Sequence, residues 1–314
     1  MKAICLKASA PNPVLVEEDI PQPKAGPGEL LVRVRAAGVT PTELLWYPTS
    51  HTTTGGPRSD AVPVHEFSGE IAEIGAGVAG LSIGDEIFGM NDWFADGALA
   101  EYCITQPQSI APKPRRLSHS EAASVPIGAL TAWQGLFDRA KLQAGERVLV
   151  QGGAGAVGTF AVQLAHRHGA HVIATTSMRN LGFVKAMGAD EALDYHVVPF
   201  EERVRDIDVV FDTVGGDTLR RSWGVLGRNG RMITIAADGE SQTDERTRQV
   251  FFIVEPKRAQ LVEIGRLLDA GELRPVVDSA VPFSSASDAY TGAVQRQGRG
   301  KLVVMVAEPV RYDK

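Results

Sequence analysis

The chain has 314 residues, 44% apolar and 22% charged, which is enough apolar chain for about two separately cored domains and excludes a disordered polymer. A formal charge of −6, with no long run of like charge, argues against nucleic acid or an anionic membrane as the main partner. Cys5 and Cys103 are the only cysteines, which excludes a disulfide framework and a cysteine-rich metal cluster and points to a reducing cytoplasm. The amino terminus lacks the apolar run of a signal peptide, and no stretch approaches the roughly 18 apolar residues of a membrane span.

Residues 1–110 alternate short strand-like runs (KAICLKA, ELLVRVRAAGV, EFSGEIAEIG, GDEIFGM, GALAEYCIT) with Gly and Pro punctuation, the texture of a compact β-barrel-like unit. From about Ser118 the pattern changes, and LSHSEAASVPIGALTAWQGLFDRA predicts two helices around Pro126. Strands are then expected at 147–152, 171–176, 191–195, 208–214 and 231–236, with helices at 156–168, 181–188, 199–206 and 216–226. Strand and helix alternating in this way predict an α/β fold with a parallel sheet covered on both faces. Val157, Phe160, Ala161 and Leu164 form the stripe that would pack the first of these helices on the sheet. VFFIV (250–254) reads as a further strand, followed by a helix over 256–270; LRPVVDSAVPF and KLVVMV then return to complete the first domain. The expected division is 1–118 with 272–314 for the β unit and 119–271 for the α/β unit.

Gly153, Gly155 and Gly158 form GAGAVG directly after an apolar strand and before an amphipathic helix. In that context the glycines serve a tight turn, close approach of backbone to a pyrophosphate, and close helix–strand packing. The pyrophosphate is expected on the free N–H groups around Ala156 and Val157. The next strand, HVIATT, ends without the Asp or Glu that would take both ribose hydroxyls of NAD. Ser177, Arg179 and Asn180 follow instead, and Tyr195 ends the third strand. A hydroxyl and a guanidinium suit the 2′-phosphate of NADPH, so NADPH is the expected cofactor. The bland alternative is a solvated surface arginine.

The run EYCITQPQSIAPKPRRLSHSEAASVPIGALTAWQGLFDRAKLQAGERVLVQGGAGAVGTFAVQLA resembles the medium-chain dehydrogenase/reductase superfamily, in particular its zinc-independent quinone oxidoreductase branch. AAGV near residue 36, PVHEFSG at 63–69, FDTVGGDTL at 211–219 and the closing GRGKLVVMV extend the likeness over nearly the whole chain. The resemblance implies a GroES-like catalytic domain built from both chain ends, a doubly wound Rossmann-type domain between them, and NADPH in the cleft. It also implies Thr131, Phe252 and Val254 near the nicotinamide, and a homodimer formed through the VFFIV edge. Zinc-dependent relatives place a Cys where this chain has Thr40 and a glycine where it has Val64, and keep a His where His65 stands. No metal is therefore expected.

Without an alkoxide-stabilising metal, the expected reaction is NADPH-dependent reduction of a quinone or an α,β-unsaturated carbonyl, whose enolate spreads the developing charge. Tyr47, or alternatively Thr40, would donate a hydrogen bond to the enolate oxygen, with Glu43 and Trp46 as further candidate wall residues; Trp46 and Tyr47 also read as ordinary packing. Two rivals stand beside this reading: a non-catalytic NADPH-binding redox sensor and a residual zinc-type alcohol dehydrogenase.

Overall fold

A computed structural model describes residues 1–7, 14–197, 199–236 and 244–306. The chain forms two compact units, one of residues 1–127, 256–297 and 301–314, the other of residues 128–255 and 298–300. The helix Arg258–Asp269 accordingly lies in the first unit.

In the first unit the ten-residue strand Leu30–Val39 is the organising element. Its first half pairs antiparallel with Tyr102–Thr105 and its second half with the late strand Lys301–Met305, while Glu66–Ile74 runs along it. The full order is Val277–Pro282, Lys301–Met305, Leu30–Val39, Glu66–Ile74, Glu86–Met90 and Ile110–Pro112. Nearly every residue of Leu30–Val39 is buried, which explains why it reads as a continuous apolar run rather than an alternation. Phe67, Ile71, Ile87, Leu99 and Leu302 fill the core around it. Strands Val277–Pro282 and Lys301–Met305, late in the chain, thus belong to the sheet of the first unit.

One charged pair lies inside this sheet. Glu66 and Lys301, 0% and 5% exposed, form an ion pair, and Glu66 Oε2 also accepts the Ile127 N–H at 2.9 Å. Burial pushes the Glu66 carboxyl up, and the Lys301 ammonium and the Ile127 N–H oppose that shift.

The second unit holds five parallel strands in the order Glu191–Asp194, His171–Thr176, Arg147–Gln151, Ile207–Asp212, Leu226–Thr234. Numbered by sequence this is 3-2-1-4-5, the doubly wound arrangement, whose switch point lies between Arg147–Gln151 and Ile207–Asp212. Helix Gly158–Arg167 buries residues 158–165 without a break.

Three sequence expectations are corrected. Residues 199–206 do not form a helix; only a short 3-10 turn, Phe200–Glu202, appears, because Phe200 and Val204 each pack into the sheet core and the chain reverses at Asp206, whose φ is +54°. The helix expected over 216–226 ends as an α-helix at Ser222, and the following strand already begins at Leu226. VFFIV is not a strand. Val250 closes the helix Glu245–Val250, Phe251 makes one isolated bridge to Thr234, and Phe252 and Val254 turn into the interior. A β-rich composition also fits a partly buried apolar connector, in which Phe252 and Val254 face inward and Ile253 outward. Among the described residues, no helix is long and apolar enough to cross a membrane.

Lys301→Met is expected to destabilise the chain by about 3–5 kcal/mol, since Glu66 would keep a buried charge without its partner. Adding Glu66→Gln should recover much of that loss. Denaturant unfolding of the two variants checks both statements.

Candidate functional site

The glycine-rich turn follows strand Arg147–Gln151 at the carboxyl end of the sheet, beside the switch point. Its left-handed residue is Gly152, with φ +77°, rather than Gly153. Gly153 is required for another reason: a Cβ there would lie 2.8 Å from the Ala174 Cβ on the neighbouring strand. At Gly158 a Cβ would run into the Gly152 carbonyl oxygen, closer than real Cβ atoms come. This is the close helix–strand packing that the motif predicts, while the tight turn belongs one residue earlier than expected. Gly155 differs from both, since a Cβ there would meet only the Gly152 carbonyl oxygen, at 3.4 Å. The fold itself does not demand a glycine at 155. Ala156 and Val157 precede the helix, which begins at Gly158.

Thr175, which sequence reasoning passed over, pins the turn. Its hydroxyl accepts the Gly152 N–H at 3.1 Å and donates to Gln151 Oε1 at 2.6 Å, and its carbonyl accepts the Gly153 N–H at 2.9 Å. Beyond the strand, Ser177 is half-buried and Arg179 exposed, whereas Asn180 is buried. Asn180 Nδ2 donates to the Gly298 carbonyl at 3.2 Å, and Oδ1 accepts from Arg299 Nε at 2.7 Å. Asn180 therefore clamps residues 298–300 with one of its two amide N–H donors. Tyr195 is exposed, its ring 4.2 Å from that of His196. Thr131 is buried in helix Pro126–Trp133. Phe252 is also buried, under the Arg139 guanidinium at 4.6 Å, as is Val254.

In the first unit the stretch after Leu30–Val39 forms two short helical turns, Pro41–Leu45 and Tyr47–Ser50. Tyr47 is exposed and stacks face to face on His51 at 4.2 Å. Trp46 packs edge-on against Trp93. Glu43, expected on a cleft wall, points inward instead. Its carboxylate accepts the Val64 N–H at 3.2 Å and the Tyr290 hydroxyl at 2.7 Å, with His65 Nδ1 at 3.2 Å. Burial first, and then the Glu43 carboxylate, pushes the Tyr290 phenol well above its ordinary value, so it stays a donor. His65 and Glu66 diverge as neighbours on extended chain do, His65 toward Glu43 and Glu66 toward Lys301. Val64 holds φ +71°, the conformation of the glycine it replaces, which for a β-branched side chain carries about 1–3 kcal/mol of strain. Thr40 is half-buried, and its hydroxyl accepts from Lys301 Nζ at 3.1 Å.

Comparison with known proteins agrees with this geometry. Residues 26–115 match the family model for the alcohol dehydrogenase GroES-like domain, and residues 187–304 match that for zinc-binding dehydrogenases. A mitochondrial NAD(P)H oxidoreductase RTN4IP1 from Danio rerio is 30% identical, over 90% of this chain and 84% of its own length. A 2-methylene-furan-3-one reductase from Solanum lycopersicum is 31% identical, over 92% of this chain and 74% of its own. The solved quinone oxidoreductase of Coxiella burnetii superimposes with a TM-score of 0.86 at 31% identity, covering 98% of this chain and 99% of that one. The chain belongs to the medium-chain dehydrogenase/reductase superfamily, in its quinone oxidoreductase and alkenal reductase-like branch. It is an oxidoreductase of that superfamily, with a GroES-like domain and a Rossmann-type sheet.

Because one matched family is named for zinc, the donors in this oxidoreductase need testing against a metal. Both ring nitrogens of His65 already face oxygen atoms, Glu43 Oε2 and the Ala95 carbonyl at 3.3 Å, and the ring is 1% exposed. Thr40 offers a hydroxyl already held by an ammonium group, which would repel a cation. Cys5 and Cys103 are buried in the β core, and burial pushes the Cys103 thiol up to about 12. These residues do not fit a catalytic zinc. Among the described residues, one group has metal-ligand spacing, Glu70, Glu86 and His119, but Arg35 and Lys113 already pair with its carboxylates.

The two glycines should separate on substitution. Gly158→Ala is expected to lower thermal stability because backbone must move, by about 1–3 kcal/mol. Gly155→Asp should leave unfolding near that of the parent yet abolish cofactor binding, since its carboxylate would clash with and repel the pyrophosphate. Paired melting curves and cofactor titrations check the contrast.

Proposed function

We propose that this reductase carries out metal-independent, NADPH-dependent reduction of a quinone or an α,β-unsaturated carbonyl. The observation that carries this reading is Thr40. At the position where zinc relatives keep a ligand, this chain presents a hydroxyl whose oxygen accepts from Lys301 Nζ. An ammonium group only donates, so it occupies a lone pair and leaves the Thr40 O–H free to donate elsewhere. A nearby positive charge also strengthens that donation. Such a donor stabilises a forming enolate or hydroquinone oxygen, but is weaker than a metal toward an alkoxide. Tyr47, exposed and stacked on His51, is the second candidate donor.

The turn 152–158 suits a pyrophosphate, with Gly155 open beside Ala156 and Val157. Bound NADPH would supply the hydride to the acceptor, and solvent would supply the proton that completes the product. The chain would hold the cofactor, orient the acceptor and place the Thr40 hydroxyl at the oxygen that gains charge. The relatives named as an NAD(P)H oxidoreductase, a furanone reductase and a quinone oxidoreductase support the same class of reaction.

A panel of 1,4-benzoquinone, 9,10-phenanthrenequinone and short enals and enones, each with NADPH, tests the reading. At least one acceptor should consume cofactor, with no loss after chelator treatment. Thr40→Val should then lower kcat by about 10²–10³ with little change in KM, and Thr40→Ser should retain most of it. Tight NADPH binding without turnover on any acceptor would favour a sensor, and loss of turnover on chelation would favour the zinc enzyme.

A further inference from the structure

Arg299 belongs to the short segment 298–300, which packs on the glycine-rich turn. The Gly300 N–H donates to the Ala154 carbonyl at 2.8 Å, and Gly300 forms a parallel bridge with Gly155. The side chain is held on three sides. Its Nε donates to Asn180 Oδ1 at 2.7 Å, its Nη2 to the Arg179 carbonyl at 3.3 Å, and its guanidinium lies over the Phe183 ring at 4.8 Å. Two of its five N–H donors are used by these bonds, and three remain.

None of those partners is a carboxylate. Arg35, Arg58, Arg221, Arg231, Arg266 and Arg296 each meet an acidic side chain. Arg179 and Arg299, like Arg258, have no ion pair with an acidic side chain among the described residues, and the two lie together: Arg179 Nη2 is 2.8 Å from where a Cβ on Gly298 would stand. Two guanidinium groups have thus been brought beside one strip of backbone with no carboxylate paired to either among the described residues. Like charges gathered in this way repel, and a bound dianion removes that cost. The place is just beyond the end of strand His171–Thr176, where Ser177 also keeps a hydroxyl without a hydrogen bond among the described residues.

We propose that Arg299 is the principal residue recognising the 2′-phosphate of NADPH, with Arg179 in a secondary role. This rests on the NADPH reading above and assigns its specificity to a residue about 120 positions from the strand that normally sets it. Arg299 is half-buried and fixed by Asn180 and Phe183, so it binds with little further loss of side-chain freedom. Arg179 is exposed, and its contribution is reduced by solvent and by the ordering it must undergo.

The test is direct binding to the full chain, by calorimetry, of NADPH, NADH, adenosine 2′-monophosphate and adenosine, for the parent and for Arg299→Ala, Arg299→Gln and Arg179→Ala. Arg299→Ala and Arg299→Gln should each weaken NADPH and adenosine 2′-monophosphate by roughly ten- to a hundredfold, with NADH and adenosine changed by less than about twofold. Arg179→Ala should weaken NADPH by less than about tenfold. Equal losses for NADPH and NADH in the Arg299 variants would mean the residue only staples the segment to the turn, and would overturn the proposal. So would an unchanged NADPH:NADH ratio, or a greater loss in Arg179→Ala. A parent that binds both cofactors equally would instead overturn the NADPH reading itself, whatever the variants do.

Discussion

The contact between Gly158 and the Gly152 carbonyl is the constraint on which the nucleotide-binding unit depends. No side chain fits between them, so helix Gly158–Arg167 starts directly against the end of the central strand. That closeness brings the turn to the switch point of a 3-2-1-4-5 sheet. It leaves Gly155 room for a side chain, with only the Gly152 carbonyl oxygen at 3.4 Å, and it gives Ala154 a carbonyl that the segment 298–300 can reach. A larger residue at 158 would move the helix, and with it every donor that the turn presents.

In the sheet unit the corresponding constraint is electrostatic. Glu66 and Lys301 are buried together, and such a pair returns in attraction roughly what it cost to desolvate. Its value here is positional. Lys301 cannot leave Glu66 without stranding a charge, so a second of its three donors stays on Thr40. The neighbouring Glu43, His65 and Tyr290 cluster is satisfied in a similar way and turned inward.

These two arrangements hold the polar side chains around Thr40 and His65 in contact with one another. The backbone around Val64 still holds the left-handed turn of a glycine, and His65 still stands in its place. The surrounding oxygen atoms have closed over both ring nitrogens, and an ammonium group sits where a cation would need a ligand.

The sequence by itself determined the two-unit plan, the parallel sheet and the glycine turn, because strand and helix periodicity and glycine spacing are local properties of the chain. It also showed that no carboxylate ends strand His171–Thr176. It misjudged 250–254, where a β-rich run serves as a partly buried connector, and 199–206, where two core anchors followed by a reversal replace a helix. Only the tertiary structure decided that Glu43 faces inward, that Asn180 is a clamp, and that Thr175 pins the turn. Arg299 and Lys301 stood in plain view in GRGKLVVMV, yet their partners lie 119 and 261 residues away. A side chain's partner across such a distance is fixed by packing, which no local pattern encodes.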